Sequence, residues 1–279
     1  MFEQVVVGAL DGQPGRDTVA LARELASPQG ELTLVRVHLV MSKSAPYSPS
    51  MADSAKCKHA LKRLTALAAE LSVDAQVSCV EARSVRHGLH EFASARHADL
   101  LVVGASSGDQ LTRDLVADDT RKVLEGAPCA TAVAPEGYAR RASAIKKIAV
   151  GFDGSSGSER AVELARQLAA ERNAELSVFQ AVPATYYARD PWNVRGEIEE
   201  HVESARRRVA ALGDLEAEVG FGDPVHELAR HAQTVDLLVI GSREYRPIDR
   251  LLERTTAQRL ADKTTSPLLV LASPAHAGV

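Results

Sequence analysis

The feature that most constrains the fold of this chain is an internal repeat. The segment VVVGALDGQPGRDTVALARELA, residues 5–26, matches IAVGFDGSSGSERAVELARQLA, residues 148–169. Near the end of each half, ADLLVVGAS matches VDLLVIGSR. Between these landmarks the second copy is shorter by about five residues, which one loop accounts for. The repeat is far longer than a solenoid unit, so it predicts two duplicated domains.

The boundary between the copies is marked by a change in composition. The chain has 279 residues, a length that suits two domains of ordinary size. The segment EGYARRASAIKK, residues 136–147, is polar and basic and lies between two apolar strands. We therefore place one domain at residues 1–138 and the other at residues 145–279.

Each copy alternates short β-branched runs with helical stripes, which predicts a parallel sheet covered by helices on both faces. Right-handed crossovers then give a doubly wound, five-stranded domain. The third helices are expected near residues 90–96 and 225–231. The expected strands are residues 5–8, 32–40, 76–80, 100–103 and 131–134 in the first copy, and 148–151, 176–182, 216–219, 237–240 and 268–271 in the second.

Charge and hydropathy exclude two classes of partner. The net charge of −4 lacks the basic excess of nucleic-acid binders. No apolar run approaches the roughly 20 residues that cross a bilayer, so no membrane span is predicted. The N-terminal MFEQVVVGALDG has no basic flank and is typical of a first strand, not of a signal peptide. These features favour a cytoplasmic protein.

The three cysteines, Cys57, Cys79 and Cys129, form no CxxC pair. Their number and spacing favour a reducing compartment, with three small buried side chains and neither a disulfide framework nor structural zinc. His87, His90 and His97 lack a carboxylate or cysteine at ligand spacing, which disfavours a metal site.

Doubly wound sheets bind ligands beyond the carboxyl ends of their strands, where the winding direction reverses. In each copy the turn after the first strand reaches that place, and it carries Asp11-Gly12 or Asp153-Gly154. The loop after the fourth strand, which begins at Gly104 or Gly241, reaches it too. An Asp-Gly pair also suits an ordinary turn, so the pair alone does not identify a site.

The ordered set of these motifs resembles the universal stress protein family over nearly the whole chain, twice. The resemblance implies Rossmann-like domains and an adenine nucleotide held by the Asp after strand one and by backbone at the end of strand two. It also implies that phosphates rest on a G-x2-G-x9-G-[ST] loop, where glycines allow close approach and backbone N–H groups face the anion.

The first copy departs from that pattern. Its first glycine is Gly104, but Ser107 and Ala117 occupy the next two glycine positions, and Asp118 occupies the hydroxyl position before Asp119. Two carboxylates at a helix start repel phosphate. We expect no triphosphate site in the first domain.

The second copy keeps Asp153, Gly241 and Thr255 but has Glu244 and Arg254 at glycine positions. Glu244 would repel a phosphate, whereas Arg254 could either block it or grip it. A smaller ligand such as AMP or cyclic AMP would demand less of this loop. The candidate nucleotide-binding residues implied by the resemblance are Asp153, Gly154, Ala181, Gly241, Ser242, Arg254, Thr255 and Thr256.

Three functional hypotheses follow, and the fold alone does not separate them. The first is a stress-response regulatory protein whose second domain binds ATP or another adenine nucleotide, without catalysis. The second is an interaction scaffold with no nucleotide, and the third a slow nucleotide hydrolase. The third is disfavoured because no nucleophile motif is recognisable. Tyr186, Tyr187 and Trp192 could cover the second site or anchor a long loop.

The resemblance also implies an association mode. Because family members dimerise through the last strand, we expect residues 131–134 and 268–271 to form an intrachain pseudo-dimer or to support a homodimer.

Overall fold

The computed structural model describes residues 2–40, 55–105, 119–141, 144–183, 194–213, 215–242 and 255–272. These residues form two compact units, one ending at Ala144 and the other beginning at Ile145.

The first unit is a five-stranded parallel sheet with strand order β3-β2-β1-β4-β5. The order reverses between β1 and β4, where Val5, Val6 and Val7 pair with Leu100, Leu101 and Val102. Its elements are β1 (Phe2–Gly8), α1 (Gln13–Leu25), β2 (Ala26–Leu39), α2 (Ala55–Glu70), β3 (Gln76–Ala82), α3 (Val85–Ala95), β4 (Leu100–Gly104), α4 (residues 119–124), β5 (Ala130–Ala134) and α5 (Tyr138–Arg141).

The second unit repeats this plan with strand order β10-β9-β6-β7-β8, again all parallel. The order reverses between β6 and β9. The predicted fold class, two tandem doubly wound α/β domains, is therefore confirmed. The elements are β6 (Lys147–Gly151), α6 (Ser156–Arg172), β7 (Glu175–Val182), α7 (Val194–Ala210), β8 (Glu216–Phe221), α8 (Pro224–Ala232), β9 (Leu237–Gly241), α9 (Thr256–Ala261) and β10 (Leu268–Leu271).

The central strands carry the core of each unit. Val7, Leu100 and Leu101 are fully buried in the first unit, as are Val150 and Leu238 in the second. Strands buried on both faces need continuous apolar side chains, and this is why these runs do not alternate with polar residues. Each of the strands β1, β4, β6 and β9 ends at a glycine at the carboxyl edge of its sheet.

The third helices begin earlier than predicted. α3 starts after Ser84, whose hydroxyl accepts from the backbone N–H of His87, and α8 starts after Asp223, which accepts from the N–H of His226. Such caps satisfy N–H groups that have no partner within the helix. Pro224 at the first position further favours the start of α8.

The polar segment between the repeats is partly folded onto the first unit. Asp17 of α1 is buried, and its carboxylate accepts from the backbone N–H groups of Gly137 (2.7 Å) and Ala139 (2.8 Å). Tyr138 is buried beside them. These hydrogen bonds hold the start of α5 on α1, and Arg140 and Arg141 follow at the end of α5.

The expectation of three unlinked cysteines is wrong for two of them. Cys57 of α2 and Cys79 of β3 form a disulfide, with Cα atoms 5.6 Å apart. Their separation of 22 residues matches no short motif, but the packing of α2 on β3 brings the side chains together. Cysteine usage therefore no longer argues for a reducing compartment. Cys129 is a free thiol, and burial raises its pKa to about 12.

Within the described residues, no helix is both long and apolar enough to cross a membrane.

Candidate functional site

The second unit has a cavity of about 350 Å³ at the carboxyl edge of its sheet. It lies where the strand order reverses between β6 and β9, the expected ligand position in a doubly wound sheet. Its walls come from the turn after β6, the end of β7, one face of α7, and the starts of α8 and α9.

The turn after β6 presents Asp153 at the cavity. The backbone N–H of Phe152 bonds the carbonyl of Phe179 in β7 (2.9 Å), which extends the strand pairing by one residue. Gly154 then adopts a φ of +80°, a conformation that glycine reaches without strain. The carboxylate of Asp153 accepts from the N–H of Ser155 (3.0 Å) and from its hydroxyl (2.5 Å), which fixes the side chain.

Two glycines allow α6 to approach the end of β9. A Cβ on Gly157 would come within 2.5 Å of the carbonyl oxygen of Ser242. A Cβ on Gly241 would overlap the carbonyl group of Gly157. This backbone contact keeps the first turn of α6 beside the cavity. In the first unit the counterpart Gly104 has room, since its Cβ would lie 3.5 Å from a methyl of Thr18.

Gln180 is the most unusual residue of this cavity. It belongs to β7, it is only 4% exposed, and its Oε1 atom has no hydrogen-bond partner. A buried polar atom without a partner costs about 1–3 kcal/mol. Gln180 also lines the cavity, so a ligand N–H group that reaches its side-chain oxygen would satisfy it.

α7 contributes the cationic side of the cavity. Arg208 lines it, donates to the Ser204 hydroxyl at 3.2 Å, and lies against Gly154. His201 lines it two turns nearer the start of the helix. Below them Ala205 and Val182 form a buried apolar contact that holds α7 on the sheet.

α9 closes the cavity with its first residues. Thr255 caps the helix: its hydroxyl accepts from the N–H of Gln258 (3.3 Å), while the Gln258 side chain accepts from the N–H of Thr255 (3.0 Å). An ion pair between Arg259 and Asp223, 3.1 Å long, joins α9 to the start of α8. The lining residues Thr255 and Thr256 are thus held in a capped turn.

The structure brings together most of the candidate residues. Arg254 lies outside the described residues, as do Glu244, the three aromatic residues Tyr186, Tyr187 and Trp192, and Ser107, Ala117 and Asp118 of the first copy. Gly154 does not line the cavity and lies against the side chain of Arg208. The six that line the cavity are Asp153, Ala181, Gly241, Ser242, Thr255 and Thr256.

Sequence reasoning missed Gln180, His201 and Arg208. A signal for the first existed, because Gln180 is the one amide in the apolar run LSVFQAV. No sequence signal distinguishes His201 and Arg208 of α7, because many polar residues of that helix face solvent.

The corresponding position of the first unit is built differently. A cavity of about 360 Å³ lies beside the turn after β1. There the Asp11 carboxylate is 2.9 Å from Nε of Arg63 and 3.5 Å from an Nη of Arg36. Arg36 is the counterpart of Gln180, because each directly follows the residue whose carbonyl accepts the N–H after the first strand, Val35 or Phe179.

Two of the histidines, His90 and His231, are used in packing. Nε2 of His90 lies 2.8 Å from the carbonyl oxygen of Val123, so that nitrogen donates, and burial lowers the pKa of His90. His231 stacks on Phe179 with ring centroids 4.5 Å apart, and burial lowers its pKa as well. The described parts of the chain hold no group of three His, Cys, Asp or Glu residues arranged to bind a metal.

Comparison with known proteins identifies relatives of both halves. The sequence profile of the universal stress protein family matches residues 1–135 and again residues 144–272. The universal stress protein YxiE of Bacillus subtilis (strain 168) is 29% identical over 147 residues, which are 46% of this chain and 99% of that protein.

Solved structures share the tandem architecture. A universal stress protein from Archaeoglobus fulgidus aligns over 97% of this chain and 96% of its own, with a TM-score of 0.65 and 13% identity. A Pseudomonas aeruginosa UCBPP-PA14 protein, solved as a candidate universal stress protein, aligns over 97% and 93%, with a TM-score of 0.66 and 18% identity. The cytoplasmic domain of a prokaryotic cation chloride cotransporter aligns over 98% and 96%, with a TM-score of 0.50 and 14% identity.

Proposed function

The chain belongs to the universal stress protein family, and from this premise we propose that it is a stress-response regulatory protein whose second domain binds a small adenine nucleotide. The family membership makes it a stress-response protein. The nucleotide, its place in the second domain and the absence of turnover are the parts proposed here.

The observation that carries the proposal is the buried Gln180, which lines the cavity and whose Oε1 atom has no hydrogen-bond partner. A side-chain amide offers an acceptor beside a donor. Adenine offers the matching pair, its amino group beside a ring nitrogen, and glutamine binds this edge through two hydrogen bonds. The edge that glutamine binds in this way carries N6 and N7, and on that edge guanine and hypoxanthine present the carbonyl oxygen O6 in place of the amino group, which leaves Oε1 without a donor.

Charge and size support the same ligand. Asp153 supplies a second acceptor at the cavity, in the position that the family resemblance assigns to the adenine contact. Arg208 supplies a cation in the same wall, which suits a phosphate. A volume of about 350 Å³ is near the lower end for small-molecule sites. A monophosphate therefore fits the described cavity better than a triphosphate.

The alternative is an interaction scaffold that binds no nucleotide. The tandem fold also occurs as the cytoplasmic domain of a transporter, so fold similarity does not favour a free nucleotide sensor over a protein-binding module. The cavity and the unsatisfied Gln180 favour the nucleotide, because a scaffold has no need of either.

The proposal is tested by calorimetric titration of the purified chain with AMP, inosine monophosphate and ATP. We expect one AMP per chain, bound at least tenfold more tightly than inosine monophosphate, because the second ligand leaves a buried acceptor unpaired. Gln180→Leu should weaken AMP binding by roughly tenfold or more. Gln167→Leu, on an exposed glutamine of α6, is the matched control and should leave AMP binding unchanged.

Absence of AMP and ATP binding, together with no nucleotide in native mass spectra of the freshly purified protein, would contradict the proposal and favour the scaffold. Equal affinity for AMP and inosine monophosphate would contradict the role of Gln180.

A further inference from the structure

We propose that the cavity of the first domain is a separate site for a phosphomonoester, recognised by its phosphate and not by a base. The site is formed by Arg36 of β2 and by Lys56 and Arg63 of α2. Asp11 orients the side chains of the two arginines.

The two domains differ in charge at equivalent positions. Where the second domain has the neutral Gln180, the first has Arg36. This arginine and Arg63 both contact Asp11, at 3.5 Å and 2.9 Å. The carboxylate that faces a base in the family is thus ion-paired, so its capacity to accept from an adenine amino group is reduced.

Positively charged side chains outnumber carboxylates among the described residues around this cavity. Among the described residues that line it, three carry a full positive charge and Asp11 is the only carboxylate. Lys56 forms no ion pair with any carboxylate that the structure describes. The surplus of two positive charges equals the charge of a phosphate dianion, which a phosphomonoester approaches at neutral pH.

The side chains of Arg36 and Arg63 are held in place before any ligand binds. An arginine presents five N–H donors in a planar fork. Arg36 donates to the carbonyl of Ala9 at 3.4 Å and contacts Asp11, while Arg63 contacts Asp11 through Nε. These contacts leave further N–H groups of both guanidinium groups for a ligand. The Arg63 side chain is 52% exposed and that of Arg36 is 32% exposed, so an anion can reach them.

His38 and His59 line the same cavity and offer ring nitrogens around the esterified group. The cavity of about 360 Å³ holds a phosphate and a small organic group. The described residues that line the site come from the turn after β1, from β2 and from α2. Its existence does not depend on nucleotide binding in the second domain.

The test uses calorimetry at constant ionic strength on the full chain carrying Arg208→Gln, so that the cation in the cavity of the second domain does not contribute to phosphate binding. The probes are glycerol 3-phosphate, inorganic phosphate and malonate. We expect glycerol 3-phosphate to bind, and Arg36→Gln and Arg63→Gln each to weaken it by roughly tenfold or more, the effect of losing one charge-assisted hydrogen bond. Thermal unfolding verifies folding, and the second domain shows that the fold accepts glutamine at this position.

Lys62→Gln is the matched control, because Lys62 is exposed on the same helix next to Arg63 but does not line the cavity. It should change affinity by less than about twofold, the effect of one screened surface charge. Arg36→Lys should restore part of the binding lost in Arg36→Gln. Three results would overturn the proposal: no binding of either phosphate probe, tighter binding of malonate than of both phosphates, or equal weakening by Lys62→Gln and Arg63→Gln.

Discussion

In the first domain the Nε atom of Arg63 lies 2.9 Å from a carboxylate oxygen of Asp11. In the second domain the equivalent Asp153 is held by the hydroxyl and the N–H group of Ser155. Duplication thus produced two similar turns whose carboxylates have different surroundings. An aspartate paired with arginine, as Asp11 is, is a poor acceptor for a neutral base.

Gln180→Leu should stabilise the ligand-free protein while it weakens nucleotide binding. Replacing a buried amide whose oxygen has no partner removes an unfavourable burial of about 1–3 kcal/mol. Urea denaturation without nucleotide measures the change in the free energy of unfolding. A loss of stability would show that Oε1 is satisfied in the free protein, and would remove the main support for the ligand.

Gly241→Ala should destabilise the second domain, whereas Gly104→Ala should be tolerated. The added methyl at 241 would overlap the Gly157 carbonyl, but at 104 it meets a side-chain methyl at ordinary contact distance. Overpacking of this kind costs about 1–3 kcal/mol. Urea denaturation of the two variants measures the difference. Equal effects of the two substitutions would contradict the close contact between α6 and β9.

How much of this was predictable differs from residue to residue. The strands ending at Gly104 and Gly241 follow from apolar runs that only a buried parallel strand explains. The role of Gln180 was not predictable, because it depends on which buried atoms lack a partner after packing. The disulfide between Cys57 and Cys79 was not predictable either, because the two cysteines lie on separate elements and form no short sequence motif. Pairing of Asp11 with Arg63 is likewise a tertiary contact.

The disulfide between Cys57 and Cys79 should contribute measurably to the stability of the first domain. It closes a loop with a sequence separation of 22 residues, and cross-links of this size stabilise by about 3 kcal/mol in the chain-entropy account. The double variant Cys57→Ser/Cys79→Ser should lower the free energy of unfolding by an amount of that order. Thiol titration of the unfolded, unreduced protein provides the control: one reactive thiol supports the link, and three contradict it.

Low pH should decrease the free energy of unfolding of the second domain, because His231 is buried with a lowered pKa. Burial lowers the pKa of this histidine below its ordinary value of 6.5, although Glu218 opposes the shift. The unfolded chain therefore takes up a proton that the folded chain resists, so stability is retained above about pH 6.5 and falls as the pH decreases below it. His231→Phe, which keeps an aromatic ring against Phe179, should reduce this slope in urea denaturation series.

His90 in the first domain has a lowered pKa for the same principal reason, so the His90→Gln/His231→Phe double variant should show the smallest pH dependence. An unchanged slope in both variants would show that other groups dominate acid unfolding.

The central claim, that one domain of the pair reads adenine through its aspartate, is tested most directly by titrating AMP into three proteins in parallel. These are the native chain, Asp153→Ala and Asp11→Ala, each with its folding checked by thermal unfolding. Loss of a hydrogen bond to a charged group costs about 1.5–3 kcal/mol, so Asp153→Ala should weaken AMP roughly tenfold to a hundredfold. Asp11→Ala should leave the affinity nearly unchanged. Equal losses in both variants, or a loss in Asp11→Ala alone, would contradict the asymmetry between the domains.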